Sequence, residues 1–159
     1  MNAYANQYQQ QQQYQQNQIY TATQEQILIM LYDGAIRFTR QAIMAGEQGN
    51  QVQKLERISK TMAIIVEFSN TLNHEIGGKI AADLDGLYQF MIRELNAARK
   101  DDSGEKLKTV EGLLVDLRET WGQAIDINHQ QQDETKTVTE QKTQQAQLEK
   151  VYVPLNAAG

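Results

Sequence analysis

Histidines and close carboxylate pairs are the groups in this sequence best suited to chemistry, and they are few. The chain has two histidines, His74 and His129. A di-iron carboxylate bundle takes a Glu-x-x-His pair from each of two helices. The nearest equivalent is Asp126-Ile127-Asn128-His129, which occurs once. Ligand number and geometry therefore both fail for a metal. Asp83 and Asp85 are two residues apart, so on a helix they point away from each other and do not share a proton. With no cysteine, there is no thiolate nucleophile, thiolate metal site or disulfide. Gly77-Gly78 alone is no phosphate-binding fingerprint, and no Ser, Lys or Thr stands in a nucleophile motif. The residues point away from an enzyme and call for no cofactor or metal. What they do supply is apolar side chains at helical spacing, which only a set of helices can position.

Composition agrees. One Pro and 10 Gly in 159 residues leave few breakers, and aromatic residues make up 7%, which suits helices better than sheets. The length allows one domain. A net charge of -5 argues against general affinity for nucleic acid. The longest apolar run, Ile27–Tyr32, falls far short of the roughly 20 residues of a membrane span. Residues 1–18 have neither the basic nor the apolar region of a signal peptide. The expectation is a soluble cytoplasmic protein that does not insert into membranes.

Charge divides the chain into three parts. Residues 1–22 form an uncharged Gln/Tyr-rich arm, with 9 Gln among the first 18 residues. Residues 23–128 hold 16 acids and 12 bases, and residues 129–159 form a polar tail with 4 acids and 3 bases. Polar tracts bury too little apolar surface to offset chain entropy, so a flexible N-terminal arm is expected. The tail has room for one short helix around Thr139–Lys150.

The middle part reads as four helices. Thr23 with Gln26 makes a capping-box pattern. After it Leu28, Leu31, Ala35, Phe38, Ala42 and Ala45 recur on one face, up to Gly46–Gly49. A second helix carries Leu55, Ile58, Met62, Ile65, Ser69 and Leu72, and stops at a turn over His74–Gly78. A third carries Ile80, Leu84, Leu87, Met91, Leu95 and Ala98, and a fourth carries Leu107, Val110, Leu114, Leu117 and Trp121 before fading near Asn128. Short connections force neighbours to run antiparallel. The predicted fold is all-α, an antiparallel up-down four-helix bundle.

The apolar residues exceed what one stripe per helix needs. Ile29, Tyr32, Ile36 and Ile43 make a second stripe on the first helix, with Ile64 and Phe68 on the second and Tyr88 and Ile92 on the third. These residues either fill the core edges, the commoner case, or line grooves for amphipathic helices. Gly34 in mid-helix has two readings, close helix packing or access for a partner's side chain. Asp33 joins a polar network or faces water, Arg37 reads as a local salt-bridge partner, and Trp121 as a core residue at the bundle end.

The motifs resemble those of the flagellar secretion chaperone FliS family. The resemblance runs through Tyr14-Gln15-Gln16-Asn17-Gln18-Ile19, Thr21-Ala22-Thr23 and the distinctive Leu28-Ile29-Met30-Leu31-Tyr32-Asp33-Gly34-Ala35-Ile36-Arg37-Phe38. It continues in Gly77-Gly78-Lys79-Ile80-Ala81, Leu84-Asp85-Gly86-Leu87-Tyr88-Gln89-Phe90-Met91 and Leu114-Val115-Asp116-Leu117-Arg118-Glu119-Thr120-Trp121. It spans about residues 14–128, leaving out the first Gln-rich stretch and the tail. Gln24 stands where the family usually has Pro, which weakens the helix start slightly without changing the fold. The resemblance implies a non-enzymatic chaperone whose helical bundle holds the C-terminal segment of flagellin in apolar grooves. It also implies that the chaperone prevents premature polymerisation, delivers the client to an export-gate component of the type III apparatus, and serves other flagellar regulators. The binding residues it suggests are Tyr14 and Ile19 in an arm that covers the grooves, Leu28, Tyr32 and Ile36 on the first bundle helix, and Ile80, Leu84, Leu87, Tyr88 and Met91 on the third. The alternative is a helical scaffold or dimerisation module with no flagellin client.

Overall fold

The computed structural model describes the backbone of residues 2–21 and 23–151, and the side chains of residues 3–13 and 23–143. Five helices follow in order: α1 (Asn2–Thr21), α2 (Gln24–Glu47), α3 (Gln51–Thr71), α4 (His74–Ala98) and α5 (Glu105–Val151). No strand occurs among the described residues. The chain divides into two compact units, Met1–Thr120 and Trp121–Gly159.

In the first unit each helix starts where a side chain can satisfy its first free amides. The Thr23 hydroxyl accepts from the Gln26 amide at 3.2 Å, and the Gln26 side chain accepts from the Thr23 amide at 3.0 Å, which completes the predicted capping box. Asn50 accepts from the Gln53 amide at 3.1 Å to start α3, and Asn73 from the Ile76 amide at 3.0 Å to start α4. The turn expected over His74–Gly78 is tighter than the glycines suggest. Residues 74–77 already form a helical turn, and the chain bends at Gly78 alone, with φ 49° and ψ -123°. Only glycine adopts that backbone without strain.

The helices α2, α3, α4 and the first part of α5 form the antiparallel four-helix bundle. Its core repeats at steps of three and four: Tyr32, Ala35, Thr39 and Ala42 on α2; Lys54, Ile58, Thr61, Ile65 and Phe68 on α3; Ala81, Tyr88, Met91, Leu95 and Ala98 on α4; Leu107, Val110 and Leu114 on α5. Such spacing produces knobs-into-holes packing. Each large aliphatic side chain so buried stabilises the fold by about 1.5–3 kcal/mol. Several of these positions lie one residue from the expected stripe. Thr39 and Thr61 are buried where Phe38 and Met62 were expected, because each hydroxyl donates to a carbonyl of its own helix, Ala35 at 2.8 Å and Arg57 at 3.1 Å. Lys54 is buried because its ammonium donates to the Asp101 carbonyl at 2.9 Å, pinning α3 to the turn between α4 and α5. Ion pairs Arg40–Glu111 and Arg118–Asp33 join α5 to α2, and Lys106–Glu94 joins it to α4.

The ends differ from the sequence expectation. The polar N-terminal stretch is helical over Asn2–Thr21, with residues 3–13 exposed. The helix that was to fade near Asn128 is helical to Val151. Gln, Glu and Lys are strong helix formers, and no Gly or Pro falls between Gln123 and Val153. In the second unit four threonines donate to the carbonyl four residues back, as Thr135 does to Gln131 at 2.8 Å. No described helix is long and apolar enough to cross a membrane.

Candidate functional site

The residues suggested for partner binding separate by burial. Tyr32, Ile36, Tyr88 and Met91 belong to the core. The Tyr32 and Tyr88 hydroxyls lie 2.7 Å apart, and Phe68 stacks on Tyr32 with ring centroids 4.4 Å apart and meets Tyr88 at 5.6 Å. This aromatic cluster ties α2, α3 and α4 together. Leu28 and Leu84 are half-buried. Ile80 is 72% exposed and Leu87 36%. On α4 the buried positions 81, 88, 91, 95 and 98 set the phase of the helix, so Ile80 and Leu87, each one residue away, face outward. The side chains of Tyr14 and Ile19 lie outside the described residues.

Among the described residues of the bundle, three apolar surfaces are open. The first is a groove of about 270 Å³ between α2 and α3, lined by Ile27, Met30, Leu31, Gly34, Arg37, Phe38 and Ile64. Gly34 opens its floor. A Cβ there would meet Ile64 Cδ1 at 3.7 Å and Arg37 Nη2 at 3.9 Å, both ordinary contacts. Close helix packing therefore does not require glycine at this position, which favours the access reading. The second is a groove of about 490 Å³ between α2 and α5, where Ile36, Met44 and Val115 meet Asp33, Arg37, Arg40, Gln41 and Arg118. The third is the outer face of α4, where Ile80, Leu87 and Phe90 are exposed.

Polar groups border these surfaces differently. Arg118 Nε donates to Asp33 Oδ1 at 2.9 Å, and this bond raises the Arg118 pKa above its ordinary value. Arg40 Nε donates to Glu111 at 2.6 Å. The Ser69 hydroxyl on α3 donates to Asp85 of α4 at 2.5 Å and holds its carboxyl below the usual carboxylate range, with Gln89 assisting. Near the α2–α3 groove, three cations surround Phe38: Arg37 at 5.2 Å from the ring centre, Lys60 at 5.4 Å and Arg57 at 5.7 Å. The local salt bridge expected of Arg37 is not formed, because its Asp33 neighbour is taken by Arg118. Sequence periodicity did not anticipate the α2–α3 groove as a unit, since Phe38 read as core and Ile64 as one of two open cases. The signal that was available was Gly34 among large apolar neighbours. Among the described residues no cluster of three or more metal-ligating side chains exists.

This bundle with open apolar faces has close relatives. Residues 4–131 match the family model described as flagellar protein FliS. The chain is 40% identical over 110 residues to the flagellar secretion chaperone FliS of Bacillus subtilis, covering 69% of this chain and 80% of that one. It is 38% identical over 106 residues to the FliS of Salmonella typhimurium, covering 66% and 78%. A crystal structure of a bacterial flagellar chaperone superposes with a TM-score of 0.61 at 22% identity, over 75% of this chain and 97% of that one, and so shares the fold. On the matched span and the identity to these relatives, the chain belongs to the FliS family of flagellar secretion chaperones.

Proposed function

We propose that this chain is a cytoplasmic, non-enzymatic export chaperone that binds the C-terminal segment of flagellin as helix on its apolar surfaces. It thereby keeps flagellin from polymerising early and hands it to the export-gate component of the flagellar type III apparatus. The observation that carries this reading is the apolar groove over Gly34, built on the faces of two helices whose core is closely packed. Ordering a disordered segment typically costs about 2–5 kcal/mol of the gross binding energy. A receptor whose groove is already formed adds little to that cost. Within this reading Ile80, Leu84, Leu87 and Leu28 contribute contact area directly. Tyr32, Ile36, Tyr88 and Met91 hold the helices that present it. Tyr14 and Ile19 belong to the arm that occupies the surface when no client is bound.

The test is a calorimetric titration with the C-terminal segment of flagellin from the same organism, together with circular dichroism of the mixture. One-to-one binding with new helical signal is expected. A folded protein that fails to bind the segment, and that self-associates, would replace this reading with the dimerisation module.

A further inference from the structure

Along α2, Met30, Asp33, Arg37, Arg40 and Met44 lie at successive steps of three and four residues, so they form one outward ridge. It runs about 21 Å at 1.5 Å per residue. The α2–α3 groove lies on one side and the α2–α5 groove on the other, and Arg37 lines both. The ridge charges are unevenly matched. Asp33 is held by Arg118 and Arg40 by Glu111. Arg37 rests over Phe38, and among the described residues it forms no ion pair. Beside it, Arg57 forms no ion pair either, and its Nε is buried without a hydrogen-bond acceptor. Of the three cations round Phe38, only Lys60 has an acid, Glu56 at 3.5 Å.

A buried donor without an acceptor costs free energy, more so on a charged group. A helix lying on this groove would cover the ring and take further water from both guanidinium groups. Cation–π contact with Phe38 offsets only about 0.5–2 kcal/mol of that. A carboxylate on the incoming helix would offset far more, because it accepts two parallel bonds from a guanidinium. The apolar floor of Ile27, Leu31, Gly34 and Ile64 does not suit a polyanion, which needs several cations spaced along its phosphates. The chain's net charge of -5 gives no long-range attraction for an acidic partner, so the preference is local.

We infer that the α2–α3 groove selects, among amphipathic helices, one that sets an Asp or Glu between its apolar side chains, where that carboxylate meets Arg37 and Arg57 over Phe38. This inference rests on the export-chaperone reading and names what in the client is recognised.

The experiment is a double-mutant cycle by calorimetry, using the full chain and the flagellin C-terminal segment. Arg37 is exposed, so Arg37→Gln should keep the wild-type melting temperature. It should weaken binding about tenfold, the usual effect of losing one charge-assisted bond, and reduce the salt dependence of the affinity. In a scan of the segment changing each acid to its amide, one change should weaken binding to the wild-type chain and cost clearly less on top of Arg37→Gln, where only Arg57 is left to meet the carboxylate. Wild-type affinity and salt dependence in Arg37→Gln, or additive losses for every acid in the segment, would overturn the inference while leaving the chaperone reading intact. Failure of the wild-type chain to bind the segment would overturn both, and would show before any variant is made.

Discussion

The α2–α3 groove and the outer face of α4 both expose hydrocarbon, but they treat charge in opposite ways. On α4 most charges close on a neighbour: Lys79 on Asp83 at 3.4 Å, Glu94 on Lys106 of α5 at 3.7 Å, and Asp85 on Ser69 of α3 and on Gln89, with Arg93 outside these pairs. Round Phe38 two of three cations have no acid. A face whose charges are internally satisfied can offer area to any apolar helix, since nothing on it is left unpaired by a partner lacking a given group. A face with unmatched donors distinguishes between partners, because only some supply the acceptor. On the proposed export-chaperone reading, the α4 face would contribute affinity and the α2–α3 groove choice.

The sharpest way to separate surface from support is a charge placed at each of two positions on α4, one buried and one exposed. Tyr88 is 2% exposed and Ile80 is 72% exposed. Tyr88→Glu puts a carboxylate into the aromatic cluster with Tyr32 and Phe68, where nothing compensates its burial. We expect loss of the cooperative melting transition, the largest effect of any substitution considered. Ile80→Glu should melt within about 0.5 kcal/mol of the wild-type chain yet bind the flagellin segment several-fold more weakly. A Tyr88→Glu chain that melts normally would return that residue to the surface.

Gly34→Ala breaks the comparison from the groove side, with a smaller effect. Replacing an interior helical glycine by alanine stabilises a helix by about 1 kcal/mol, and the new methyl meets nothing closer than 3.7 Å. The chain should melt higher and bind the segment more weakly, because the methyl raises the groove floor. Tighter binding would mean that no client side chain reaches Gly34. Ile80→Glu and Gly34→Ala, on different faces, should combine additively in binding.

The four bundle helices and the start of α2 were legible because periodicity and capping are local, whereas α1 and the start of α4 at His74 were not. Thr23 with Gln26 announced α2 in the sequence and holds its first amides in the structure. The phase of the core was legible only to within one residue. Hydrophobicity favoured Phe38 over Thr39 and Met62 over Thr61. What decided the burial was that each threonine hydroxyl finds a carbonyl one turn back. That one-residue error carried through to the candidate site. It left Tyr32, Ile36 and Tyr88 in the second stripe and put Ile80 and Leu87 in the core stripe, while Met91, read in the core stripe, is core. The unmatched state of Arg37 was not legible at all. It depends on Arg118 taking Asp33, from which it lies 85 residues away in sequence. The helix through residues 129–151 was anticipated only as a short stretch around Thr139–Lys150, for a different reason. A polar segment built from strong helix formers needs no apolar stripe to be helical, so periodicity gave no sign of it.

The smallest expected effect tests the claim that α4 closes its own charges. Ser69 holds the Asp85 carboxyl below the usual range. A group whose folded pKa is depressed adds stability above its unfolded pKa, near 3.9 for Asp. That contribution is lost as the pH falls through the lower folded value. Melting temperature measured from neutral pH down to about pH 2 should therefore show wild type and Asp85→Asn furthest apart at neutral pH, converging below about pH 4. Some acid sensitivity should survive in the variant, because Ser103 depresses Asp101 in the same direction through its backbone amide and hydroxyl. Because Asp85 is paired within the chain, Asp85→Asn should leave the salt dependence of segment binding unchanged, the reverse of Arg37→Gln. Parallel melting curves for the two chains, or a changed salt dependence in Asp85→Asn, would show that α4 is not electrostatically closed and that the client's charges meet it there as well.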